Sequence, residues 1–67
     1  MKVYKGYFKA YEYIKVPDDT PIELVQKALA NHLGHYYFAP VRPQDVEGIE
    51  EDKEYDQNDE FLVTYYE

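Results

Sequence analysis

Two groups of residues in this chain have types and spacings that chemistry uses: a pair of histidines and a run of carboxylates. His32 and His35 are its only histidines. An H-x-x-H pair at a helix end offers two imidazole ligands to a metal, and a carboxylate from elsewhere would add a third. The structural alternative is that imidazoles near a helix C-terminus complement the negative end of its dipole. Neither an H-E-x-x-H pattern, nor a cysteine, nor a second ligand cluster accompanies the pair. The structural alternative is therefore preferred, and no metal or other cofactor is expected.

The second group is the run from Asp45 to Glu60, DVEGIEEDKEYDQNDE. Its sixteen residues hold nine carboxylates, Asp45, Glu47, Glu50, Glu51, Asp52, Glu54, Asp56, Asp59 and Glu60, against the single cation Lys53. Calcium is bound by carboxylate oxygens at alternate positions of a loop with a central glycine and a closing glutamate. Counting from Asp45 places Gly48 fourth, and counting from Asp52 places Gln57 at the centre, so the pattern fails both ways. Acid–base catalysis needs carboxylates inside a pocket that shifts their pKa values, and an open acidic run gives no sign of enclosure. A Gly-rich phosphate loop and a nucleophile motif are missing as well. The expectation is a protein that binds and does not catalyse.

The charge balance says what it binds. The run carries a local −8 in a chain whose formal total is −7, so the remainder is close to neutral. A pI near 4.6 disfavours direct contact with nucleic acid or anionic lipid and favours a basic protein surface. No apolar stretch approaches the ~20 residues of a membrane span, and no signal-peptide pattern opens the chain. The sequence reads as soluble and cytoplasmic.

These residues must be positioned by one domain, residues 1–67, near the lower size limit for independent folding. Without cysteine there is neither a disulfide framework nor a thiolate metal site to staple it. Thirteen Val, Ile and Leu, three Phe, four Ala and nine Tyr must supply the core. That is more tyrosine than so small a core absorbs, so several exposed tyrosines are expected, a residue type enriched in interface hot spots.

Residues 1–16 read as a strand or a bent hairpin. Tyr4, Gly6, Phe8, Ala10, Glu12, Ile14 and Val16 form the core face; Val3, Lys5, Tyr7, Lys9, Tyr11, Tyr13 and Lys15 form a Lys/Tyr surface. Gly6 marks a bulge or a close backbone approach, and the kink falls near Gly6 or Ala10. Thr20, Pro21 and Glu23 spell a capping box with proline at N1. Ile22, Val25, Leu29 and Leu33 then recur at helical spacing, with Gly34 as C-cap, giving a helix over 21–33. Residues 35–41, HYYFAPV, are expected to be a second strand, parallel or antiparallel to the first. The acidic run shows a faint helical spacing interrupted at Gly48 and Asn58, and Phe61 to Tyr66 a final strand that pairs with the basic first one. The fold class is α+β: a sheet of three or four strands with one helix packed on one face.

With this run, this size and no cysteine, the chain resembles the small acidic proteins that phages and mobile elements direct against host defence nucleases. These include anti-CRISPR proteins, anti-restriction DNA mimics and inhibitors of uracil-DNA glycosylase. The resemblance is at the level of the class; it implies a non-enzymatic inhibitor, acting in the host bacterial cytoplasm if phage-encoded, that fills a basic nucleic-acid channel of a nuclease. A Cas9-type effector is the first candidate target, because its duplex-reading site and heteroduplex channel are strongly basic. The carboxylates of Asp45 to Glu60 would then replace phosphates. Drawn out as a helix the run carries a charge every ~3 Å, and fully extended every ~6.6 Å, beside ~3.4 Å for one strand of duplex DNA. Tyr55, with Tyr36 or Tyr37, would be the aromatic anchor. A second reading, from a different class, is an adaptor module that associates with itself or with another subunit, through the Lys/Tyr face or the final strand.

Overall fold

The computed structural model describes residues 1–66 of the chain. β1 (Lys2–Phe8) and β2 (Ala10–Val16) form an antiparallel hairpin in register Lys2 with Val16 through Phe8 with Ala10. The bent-hairpin expectation for residues 1–16 is met, with the reversal one residue before Ala10. Lys9 sits there at φ 66°, a left-handed conformation that costs a side-chain-bearing residue ~1–2 kcal/mol. α1 (Ile22–Tyr37) follows, then a 3₁₀ turn (Pro43–Asp45), β3 (Glu47–Glu51) and the two-residue β4 (Val63–Thr64). The sheet is four-stranded and mixed, in the order β3-β1-β2-β4: β3 runs antiparallel to β1, and β4 runs parallel to β2. The α+β expectation of one helix on a three- or four-stranded sheet holds.

The core lies between α1 and one face of this sheet. Ile14 and Val16 from β2 meet Val25, Leu29, Ala30 and Leu33 from α1, with Val46 entering beside them. Each large side chain fully buried there contributes roughly 1.5–3 kcal/mol of transfer free energy. Gly6 is a notch in this face. A Cβ at that position would stand 2.6 Å from Val46 Cγ1 and 3.0 Å from Leu29 Cδ1, so only glycine admits both. The β1–β3 register also shifts between Lys5 and Tyr7, so Gly6 is a close approach and an irregularity together.

Several expected elements differ. Residues 35–41 are not a strand: α1 runs on through Tyr37, and Phe38 closes it at φ 53° with its N–H donating to the Gly34 carbonyl. Gly34 is an interior helical residue, and a Cβ there would stand a tight 3.2 Å from the Ala39 carbonyl oxygen. The extra turn is held by packing, since Tyr37 meets Phe8 edge-on at 6.0 Å, and tertiary contact outweighs the β-propensity of the tyrosines. The final strand shrinks from 61–66 to Val63–Thr64; it does pair with the basic segment 1–16, through β2, while the acidic segment, not expected as a strand, pairs with β1. Val3, assigned to the exposed face, is buried, because that face too is covered.

The capping box does not form. Pro21 is the N-cap, without a side-chain hydrogen bond, and Thr20 Oγ1 is buried with no hydrogen-bond partner among the described residues. The Thr20 N–H instead closes a turn onto the Pro17 carbonyl at 3.1 Å, which leaves its hydroxyl away from the helix end. A desolvated, unpaired hydroxyl destabilises the fold. Thr20→Val is therefore expected to raise stability by about 1 kcal/mol in a urea melt; a loss of about 1 kcal/mol would instead be the signature of a working cap.

Candidate partner-binding surface

The acidic run is neither one helix nor one extended rod. Asp45 ends the 3₁₀ turn, which α1 holds through a Gln26 Nε2 hydrogen bond to the Pro43 carbonyl at 2.8 Å. Its carboxylate accepts from the Arg42 backbone N–H at 3.1 Å and pairs with the guanidinium at 3.2 and 3.3 Å. The guanidinium first, and then that backbone N–H, hold the Asp45 carboxyl below its ordinary range. Glu47, Glu50 and Glu51 belong to β3, opposite Tyr7, Lys5 and Tyr4. Glu50 reaches Lys5 Nζ at 3.1 Å, a pair of a half-buried lysine and an exposed glutamate whose hydrogen bond raises the lysine pKa. Gly48, at φ 60°, bends the strand as no other residue there would do freely.

Beyond β3 the chain folds back over the sheet face that α1 leaves bare. The Asp52 N–H donates to the Val3 carbonyl at 2.8 Å. Tyr55 stacks on Tyr13 with ring centroids 4.5 Å apart and planes 24° from parallel. Lys15 Nζ donates to the Gln57 carbonyl at 3.0 Å. The Lys/Tyr surface expected to be free for a partner is thus covered in part by the chain's own acidic segment. Tyr55, expected as an exposed anchor, is half-buried beneath this layer and makes its stack internally.

Short hydrogen bonds fix the layer's shape. Asp52 Oδ1 accepts from the Glu54 N–H at 3.1 Å, Asp56 Oδ1 from the Asn58 N–H at 2.9 Å, and Asp59 Oδ1 from the Phe61 N–H at 3.0 Å. Each is an aspartate holding the backbone two residues on, the geometry that favours Asp at turns. The second oxygen of Asp59 accepts from the Tyr55 hydroxyl at 2.8 Å. Every aspartate of the run thus accepts a backbone N–H, whereas among the described residues no glutamate of the run does. Glu47, Glu54 and Glu60 are exposed. This division was available from the sequence, because the one-methylene side chain of Asp reaches its own backbone and that of Glu overshoots it.

Tyr36 is exposed, while Tyr37 is half-buried against Phe8 under the Lys9 ammonium. The residue that sequence reasoning missed is Phe38, 95% exposed at the end of α1. It was invisible because the helix was expected to stop at Gly34. His32 packs edge-on against Tyr65 at 6.0 Å with Nε2 3.8 Å from Glu12, and His35 is exposed. Among the described residues no three His, Asp or Glu gather as a metal site would require. Nor is any helix there long and apolar enough to cross a membrane.

No protein-family model matches the chain, and neither the curated proteins nor the solved structures give a significant match.

The layer predicts an acid transition. The Phe61 N–H first, and then the Tyr55 hydroxyl, hold the Asp59 carboxyl below its ordinary range. Its folded value thus lies under its unfolded one, so ionised Asp59 stabilises the layer above the unfolded value. That contribution disappears as pH falls through the folded value. Carboxyl NMR titration should place Asp59 below the ordinary value of an aspartate. Tyr55→Phe should move Asp59 part of the way back up, the Phe61 N–H being retained.

Proposed function

We propose that this protein is a non-enzymatic inhibitor that sets its acidic layer, residues 47–60, into the basic nucleic-acid-binding groove of a nuclease, with a Cas9-type effector as first candidate. The observation that supports this most is that the carboxylates are carried on a pinned layer. An acidic segment that only kept the chain soluble would need neither the Tyr13–Tyr55 stack nor three aspartate-held turns. Fixing like charges beside one another works against folding. The return is a surface whose ordering cost is met before the partner arrives, and that strengthens binding.

The roles divide by residue type. Glu47, Glu54 and Glu60 offer charge with no structural duty. Glu50 and Glu51 offer it from β3, and Asp52, Asp56 and Asp59 combine charge with shape. Asp45 stands apart, on the 3₁₀ turn against α1, and its charge is matched by Arg42. A groove lined by Lys and Arg attracts such a layer through the field that draws nucleic acid, so the two compete and salt weakens both.

A displacement assay with labelled duplex on a panel of basic nucleases, a guide-loaded Cas9 among them, tests the reading at low and moderate salt. Displacement at low salt that fades at moderate salt is expected. The triple change Glu47→Gln, Glu54→Gln, Glu60→Gln should weaken it by about tenfold or more with an unchanged thermal melt. If the triple variant inhibits as well as the parent, or if no nuclease in the panel releases its duplex, charge mimicry is wrong.

A further inference from the structure

The two edges of the sheet are unlike. β3 closes one with Glu47, Glu50 and Glu51 in five residues and with Gly48 at positive φ. Charge and irregularity of this kind keep a strand edge from pairing with another chain. β4 closes the other edge, and from Leu62 to Tyr66 there is no charged side chain. Phe61, Val63 and Tyr66 are exposed beside it, at 83%, 41% and 74%. Leu24 of α1 joins Val16, Tyr65 and Tyr66 along an adjoining cleft of about 360 Å³.

The parallel register with β2 fixes which backbone groups this edge presents. The Tyr65 N–H donates to the Lys15 carbonyl at 2.9 Å, so residue 65 faces into the sheet. Backbone groups of successive strand residues face opposite ways. Thr64 and Tyr66 therefore turn their N–H groups, and Leu62 and Thr64 their carbonyls, outward. The Leu62 N–H is already held by the Asp59 carbonyl at 3.1 Å.

We propose that a second copy of the chain docks on this edge, β4 against β4 and antiparallel, about a two-fold axis at Thr64. Each Thr64 N–H donates to the Thr64 carbonyl of the other copy, and each Tyr66 N–H to the opposite Leu62 carbonyl. The two sheets become one of eight strands, an isologous closed pair. Thr64 meets Thr64 at the axis, a favourable cross-strand pair. Charge selects this occupant. Two chains of −7 each repel wherever carboxylates face one another, and the uncharged β4 edge lets identical copies meet without that. A basic foreign strand would be drawn to the acidic edge and layer instead. A domain this small also gains from burying Phe61, Val63 and Tyr66 against a twin.

Sedimentation velocity on the whole chain, from about 10 μM to about 1 mM, tests this. The mass should rise with concentration from 8.0 kDa to about twice that. Added salt should favour the dimer by screening the mutual repulsion, opposite in sign to its effect on nuclease binding. Thr64→Glu sets two carboxylates against each other at the axis and should leave a monomer. Hydrogen exchange on the parent decides the matter even if that variant misfolds: the Thr64 and Tyr66 amides should be slow at high concentration and fast on dilution. A monomer throughout the range overturns the proposal, as does a dimer in which these amides exchange freely.

Discussion

The sheet of this short chain is covered on both faces, and among the described residues there is one α-helix to do it. α1 covers one face with Val25, Leu29 and Leu33. The other face carries Val3 and Tyr13, with Lys5 and Lys15 beside them, and the acidic segment is the chain that covers it. The most charged segment of the molecule is therefore drawn into its architecture. Tyr55 supplies the apolar area on that side, and an aromatic stack of this kind adds ~0.5–1.5 kcal/mol beyond area alone. Without the stack the layer would hang from the sheet by its backbone at Asp52 and by Lys15, and the arrangement of its carboxylates would go with it.

Both faces are tied to the notch at Gly6. Val46, between the 3₁₀ turn and β3, and Ile49, in the middle of β3, both approach the space where Gly6 has no side chain. Leu29 comes to the same space from the helix. Sheet, helix and acidic strand thus meet where bulk is absent, which lets β3 lie close to β1 despite the break in register. The carboxylates of β3 are held at one edge by two apolar residues and a missing Cβ.

How much of this was legible in the sequence varied with the kind of signal. Apolar residues at helical spacing gave α1 and most of its buried stripe, since Val25, Leu29 and Leu33 are buried while Ile22, first in the expected stripe, and Leu24 are exposed in the opening turn. The end of α1 was hidden, because a glycine after the last periodic leucine looks like a stop and the packing of Tyr37 on Phe8 is a long-range fact. The hairpin was half legible: its alternation was clear, but Phe8-Lys9-Ala10 contains none of the residues that usually announce a turn. Thr20 shows the opposite failure, a local motif overruled by a competing local turn onto the Pro17 carbonyl. In the acidic run, Val46 and Ile49 are too few to give a period, so its strand could not be read. The composition did mark it as the most charged segment, and the short reach of Asp beside Glu marked which of its carboxylates could close turns.

Aspartate and glutamate in this run bear the same charge and are not equivalent. An exchange of Glu for Asp at 47, 54 or 60 keeps the electrostatics and disturbs little. The reverse exchange at 52, 56 or 59 also keeps the electrostatics, yet it withdraws the oxygen that closes a turn, while asparagine there would close the turn and delete the charge. Form and field are thus separable in one short segment. Shape can drift at constant charge, or charge at constant shape, so a lineage carrying this fold could vary either one without rebuilding its core.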